Sequence, residues 1–131
     1  MKTTVQHDQH ALLEWALCHA EQEPRLRCLC VGRQQRNMPR VYLPVSAQVL
    51  VVDTAGIAAP HIYNGCWIEL KRLRAIGQPA TPAQLWWIAR LTEEGHYAAV
   101  CHGLVEAARK LCWYLHRPDL GEMLLDVRQG A

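Results

Sequence analysis

The chain has 131 residues, half of them apolar and a fifth charged, with 14 Lys and Arg against 12 Asp and Glu for a formal net charge of +2. That length suits one domain with one core and excludes two, and the near-neutral total makes no case by itself for a nucleic-acid partner. No apolar run approaches the roughly 20 residues of a membrane span, and Met1 to Asp8 are polar where a signal peptide is apolar, so a cytoplasmic protein is expected.

Leu12, Leu13, Trp15, Ala16 and Ala20 recur at helical spacing and predict a helix from Val5 to Glu21, stopped by Pro24. Leu26-Arg27-Cys28-Leu29-Cys30-Val31, closed by Gly32, reads as a strand. Residues 33–39 are polar and loop-like. Between Val41 and Asp53 the Val, Leu and Tyr content favours strand, with Pro44 interrupting it. After the small residues 54–60, His61-Ile62-Tyr63 and Cys66-Trp67-Ile68-Glu69-Leu70 flank Asn64-Gly65 and predict a hairpin with a tight turn.

Thr81-Pro82-Ala83-Gln84 is a capping box with proline at the first helical position, opening a helix that stops at Gly95. Tyr97 to Cys101 reads as a short buried strand, and Leu104 to His116 as the last helix, ended by Pro118. Strand, helix, strand with short links is a β-α-β unit whose strands should be parallel. The tail 119–131 either docks Leu120, Met123, Leu124, Leu125 and Val127 or serves an oligomer contact. The expected fold is α/β, one domain over 1–131, with a mixed central sheet flanked by helices.

Six cysteines do not make a disulfide or zinc framework here, because no C-x-x-C pair exists and Cys28-Leu29-Cys30 has no second half. Cys28, Cys30, Cys66, Cys101 and Cys112 lie in apolar segments and are expected to pack as reduced thiols. The histidines lack metal-ligand spacing, apart from His96 and His102 around one strand, and read as surface or cap residues. Trp86-Trp87 and Trp113-Tyr114 could stack on bases, but at helical spacing one member of each pair is expected in the core.

Chemistry concentrates at Glu69-Leu70-Lys71. Residues two apart on a strand share a face, so Glu69 and Lys71 project together, opposite Ile68 and Leu70. A carboxylate beside an ammonium can hold a divalent cation and steady a charged nucleophile or phosphate; an ion pair on a surface strand carries the same letters. Basic residues cluster at Arg25, Arg27, Arg33, Arg36 and Arg40 and again at Lys71, Arg72 and Arg74. Such a patch neutralises phosphates without extreme net charge, although a solvated arginine-rich loop would look alike.

Gly65-Cys66-Trp67-Ile68-Glu69-Leu70-Lys71-Arg72, then Thr81-Pro82-Ala83-Gln84-Leu85-Trp86-Trp87-Ile88-Ala89-Arg90-Leu91, then Glu94-Gly95-His96-Tyr97-Ala98-Ala99-Val100-Cys101 and Glu106-Ala107-Ala108 resemble the VRR-NUC family of the PD-(D/E)XK nuclease superfamily, in its small phage and bacterial form. Asp8-Gln9 and the following helix resemble that family's opening helix. The resemblance implies a Mg²⁺- or Mn²⁺-dependent DNA endonuclease with a restriction-endonuclease-like core. It points to branched or structured DNA, and a homodimer would suit paired cuts. Glu69 would hold the metal, Lys71 would orient water and stabilise charge, and Arg33, Arg36, Arg40, Arg72 and Arg74 would grip DNA. Gln84 would face the site, unless the capping box alone accounts for it. Asp8 would be a metal or water partner, unless it is a solvated first-turn Asp.

The family's first acid, usually in a Pro-Asp pair, has three possible registers. Asp53 follows the apolar run Val49-Leu50-Val51-Val52 and is the favoured metal ligand beside Glu69. His61 after Pro60 is the alternative, and Arg40 after Pro39 is a third echo that could ligate no cation. Should the acid be missing, the expected alternative is a catalytically degenerate nuclease fold that binds DNA or a protein without cleavage.

Overall fold

The computed structural model describes residues 5–33, 35–72 and 80–121. Helix α1 (Val5–Cys18) leads into a 3-10 helix (Pro24–Cys28), followed by strands β1 (Cys30–Val31), β2 (Val41–Leu43), β3 (Ala47–Val52), β4 (Ala58–Tyr63) and β5 (Cys66–Lys71). Helix α2 (Pro82–Glu93), strand β6 (Tyr97–His102) and helix α3 (Gly103–Tyr114) complete the order. Four strands form one mixed sheet in the order β1-β2-β5-β6, and β3 pairs only with β4 in a separate hairpin. The sheet is antiparallel from β1 to β5 and parallel between β5 and β6, as the β-α-β pattern predicts.

Alternation along β5 sorts its side chains. Cys66, Ile68 and Leu70 are buried; Trp67, Glu69 and Lys71 are half-buried on the other face. The buried set meets Leu12, Trp15 and Ala16 of α1 and Ala107, Ala108, Leu111 and Tyr114 of α3 in one core. Helix α2 packs against β6 and adds nothing to that core; its buried residue is Leu91. The capping box forms as read: Gln84 N–H donates to Thr81 Oγ1 at 3.2 Å and Thr81 N–H donates to Gln84 Oε1 at 3.0 Å. Gly95, at φ 86°, ends the helix in a conformation that favours glycine.

Three local expectations give way. Leu26 to Val31 is not one strand. Glu23 caps a 3-10 helix by accepting the Arg25 N–H, Pro24 opens that helix, and only Cys30–Val31 pairs with β2. Asn64-Gly65 is not a hairpin turn, because Asn64 N–H donates to Gly95 O at 2.8 Å and Tyr97 N–H donates to Gly65 O at 2.9 Å. The chain runs on into β5, and Gly65 is needed for close approach: a Cβ there would lie 2.8 Å from the Tyr42 ring. The true hairpin turn lies earlier, between β3 and β4. Cys28 and Cys30 are exposed rather than packed, whereas Cys66, Cys101 and Cys112 are buried as expected; all six thiols are free.

One ionic cluster locks the scaffold. Buried Glu23 accepts from Arg25 Nε and Nη2, both at 2.8 Å, and lies 3.4 Å from Arg117 Nη1. The Arg25 hydrogen bonds hold its carboxyl down at about 2 against the opposing effect of burial. Arg25 also donates to Leu115 O and Arg117 to Gln22 O, which ties the turn after α1 to the end of α3. No helix among the described residues is long and apolar enough to cross a membrane. Of the tail, Leu120 is buried in the core; residues 122–131 lie outside the described residues.

Candidate functional site

The half-buried face of β5 is where the sequence candidates meet. Strand register puts Tyr42 opposite Trp67 and Val41 opposite Ile68, so Arg40, one step on, stands across from Glu69. On the other side Val100 pairs with Glu69 and His102 with Lys71. The face therefore carries Arg40, Glu69, Lys71 and His102 beyond a Tyr42–Trp67 stack whose ring centroids are 3.9 Å apart. The charged end coincides with the carboxyl ends of the parallel strands β5 and β6. Open α/β sheets commonly bind ligands there.

Glu69 has an unusual environment. Burial raises its carboxyl above the ordinary value, and the Lys71 and Arg40 charges pull it partly back. It makes no hydrogen bond or ion pair to any described residue. A carboxylate removed from water without a partner is costly in a fold that only needs stability. Arg40 is oriented by its own contacts: Nε donates to Gly32 O at 2.8 Å, and Arg40 O accepts the Gly32 N–H at 2.7 Å.

The other candidates divide. Asp8 is 7% exposed on α1, which packs against β5, so it is not the solvated first-turn residue that was the alternative. Gln84 Oε1 is spent on the capping box. Asp53 lies at the tip of the β3–β4 hairpin, exposed, with Oδ1 accepting the Ala55 and Ile57 N–H groups at 2.9 Å each. The chain leaves that tip through β4 and runs on into β5, so Asp53 and Glu69 stand at opposite ends of this path. The strand register gives Glu69 the neighbours Arg40 and Val100, and Asp53 is not among them. His61 is exposed on β4, paired with Val49 and stacked on Tyr63, and does not join Glu69 either. Of the three registers for the first acid, the one beside Glu69 is held by Arg40.

Arg33, Arg36 and Arg72 are exposed, and Arg74 lies outside the described residues. His102, read from the sequence as a surface or cap residue, has its Nε2 buried next to Lys71 without a hydrogen-bond partner among the described residues. Only the parallel register reveals that neighbourhood. Trp113 is exposed while Tyr114 is buried, which fits the one-in, one-out expectation, but Trp86 is exposed and Trp87 only half-buried.

Among the described residues no group of three or more His, Cys, Asp or Glu side chains gathers for a metal. The free Glu69 carboxylate still suits a hard cation, because Mg²⁺ commonly rests on one or two carboxylates together with substrate phosphates. Comparison with known proteins gives the fold. A solved structure described as a VRR_NUC domain protein superposes with a TM-score of 0.66 at 19% identity, covering 88% of this chain and 91% of that chain. No family model and no curated protein matches the sequence.

Proposed function

We propose that the chain is a Mg²⁺- or Mn²⁺-dependent DNA endonuclease of the PD-(D/E)XK type, hydrolysing phosphodiester bonds at the half-buried face of β5. One observation carries the reading: Glu69 is a carboxylate lifted by burial, without a hydrogen-bond partner among the described residues, between Lys71 and Arg40 at the open end of the sheet. The fold likeness to a VRR_NUC domain protein and the Glu69-Leu70-Lys71 spacing support it.

A bound divalent cation supplies Lewis-acid polarisation of the phosphate and an acidified water. Glu69 would hold it, on the face of β5 opposite the one that α1 and its Asp8 cover. Lys71 offsets the negative charge that builds on the phosphorus oxygens as water adds and the P–O bond breaks. Arg40 grips a non-bridging phosphate oxygen with its guanidinium fork. Arg33, Arg36, Arg72 and Arg74 hold the flanking backbone. The sequence resemblance extends the proposal to branched or structured DNA, to a homodimer making two symmetric cuts and to the cytoplasm of a bacterium or phage-infected cell.

Arg40 favours a second reading. One carboxylate flanked by two cations leaves a net positive site that holds phosphate more readily than metal, which fits a nuclease fold that binds DNA or a protein without cutting. Incubating supercoiled and branched DNA with the protein in Mn²⁺, Mg²⁺ or EDTA separates the two. Metal-dependent cleavage lost in Glu69→Ala and Lys71→Ala supports the enzyme. Binding that is indifferent to metal and leaves every strand intact supports the second reading.

A further inference from the structure

The loop from Gly32 to Arg40 is held at both ends by contacts that its local sequence does not foretell. Arg36 and Asn37 have φ of 49° and 64°, and Met38 N–H donates to Gln35 O at 2.8 Å, which makes a type I′ turn. Asn suits that turn; Arg at the first positive position costs about 1 kcal/mol. The compensating contact comes from far along the chain. Trp87, on the second turn of α2, donates Nε1–H to Arg36 O at 2.6 Å across 51 residues. Trp86 packs edge-on against the Trp87 ring at 5.0 Å. At its base the loop is closed by the two Gly32–Arg40 hydrogen bonds, beside Glu69.

We infer that Trp87 is a positioning residue that clasps the arginine turn to α2, so that exposed Arg33 and Arg36 meet the DNA backbone on its approach to Glu69. The inference rests on the DNA reading above. The bond fixes a turn whose exposed side chains are cationic and whose base sits in the β5 site, and a guanidinium held by its backbone binds phosphate with less ordering cost.

Trp87→Phe keeps an apolar ring and removes the donor. Amide exchange at Met38 should quicken about fivefold, as loss of one hydrogen bond of about 1 kcal/mol predicts. The Kd for a labelled DNA duplex in EDTA, and KM in Mn²⁺, should rise about fivefold while kcat stays within about twofold. Adding Asn37→Gly, which eases one of the two positive-φ positions, should restore much of the exchange protection and affinity. Unchanged Met38 exchange overturns the clasp. Faster exchange with unchanged Kd and KM overturns its role toward DNA, and an equal fall in kcat shows damage to the fold instead. A wild-type protein that binds no DNA overturns the nuclease reading and the DNA half of this one, while the exchange data still decide the clasp.

Discussion

Two glutamates, each drawn out of water and each near arginine, have opposite environments. Glu23 is surrounded by donors: Arg25 gives three hydrogen bonds and Arg117 a longer contact, and its carboxyl falls to about 2. Glu69 has Lys71 and Arg40 within electrostatic reach but no hydrogen bond among the described residues, and burial pushes its carboxyl up. The first is saturated and ties two parts of the scaffold together. The second lies on the interior strand β5, toward the carboxyl ends of the parallel strands, where a ligand would arrive. A charge whose needs the fold meets serves structure; one whose needs it leaves unmet points to a partner from outside.

Substitution by glutamine should separate the two most sharply. Glu69→Gln is expected to lower DNA cleavage at least about 100-fold while leaving thermal stability equal or slightly higher. Glu23→Gln should do the reverse, costing about 2 kcal/mol, moderated because Arg25 stays partly solvated, with cleavage per folded molecule unchanged. Thermal melts and rate assays on the same samples check both. Loss of stability in Glu69→Gln would make it a second structural glutamate.

Acid titration sharpens the contrast through its sign. Glu23 has a depressed folded pKa, so its stabilisation is present above the ordinary value of 4.5 and is lost as pH falls toward about 2. The Glu23→Gln melt should therefore flatten on the acid side. Glu69 has a raised folded pKa, so its ionisation withdraws stability as pH rises through the ordinary carboxylate value and on through the raised one. The acid limb of the rate profile should accordingly lie above that of an ordinary glutamate. An acid limb in the usual carboxylate range would remove the special environment of Glu69.

The smallest effect is expected at Asp53. Asp53→Ala removes two turn hydrogen bonds at an exposed tip, for a cost of about 1 kcal/mol or less, and should leave cleavage untouched. A large loss of activity would restore Asp53 as a ligand of the site.

The second half of the chain was legible because its chemistry is local. Thr81, Pro82 and Gln84 encode their cap within four positions, and the alternation from Cys66 to Lys71 assigns each side chain to a face. The misreadings came where distant contacts overrode local preference. Asn64-Gly65 carries a strong turn signal, yet hydrogen bonds to Gly95 and Tyr97 draw it into the parallel ladder. Glu23 and Arg25 turn a strand-like stretch into a 3-10 helix. Asp53 had the right apolar run before it, but the inserted hairpin carries it away from Glu69, and only strand register places Arg40 there. Nothing in the sequence marks Trp87 as the partner of Arg36, because that bond joins two distant elements.

Carboxyl carbon NMR on one labelled sample tests the central contrast directly, by following Glu23 and Glu69 through pH with and without Mg²⁺ and DNA. Glu23 should titrate near about 2 and ignore both additions. Glu69 should titrate above the ordinary carboxylate value and shift downward when Mg²⁺ and DNA are added together. A Glu69 that titrates as an ordinary glutamate and responds to neither would contradict the account.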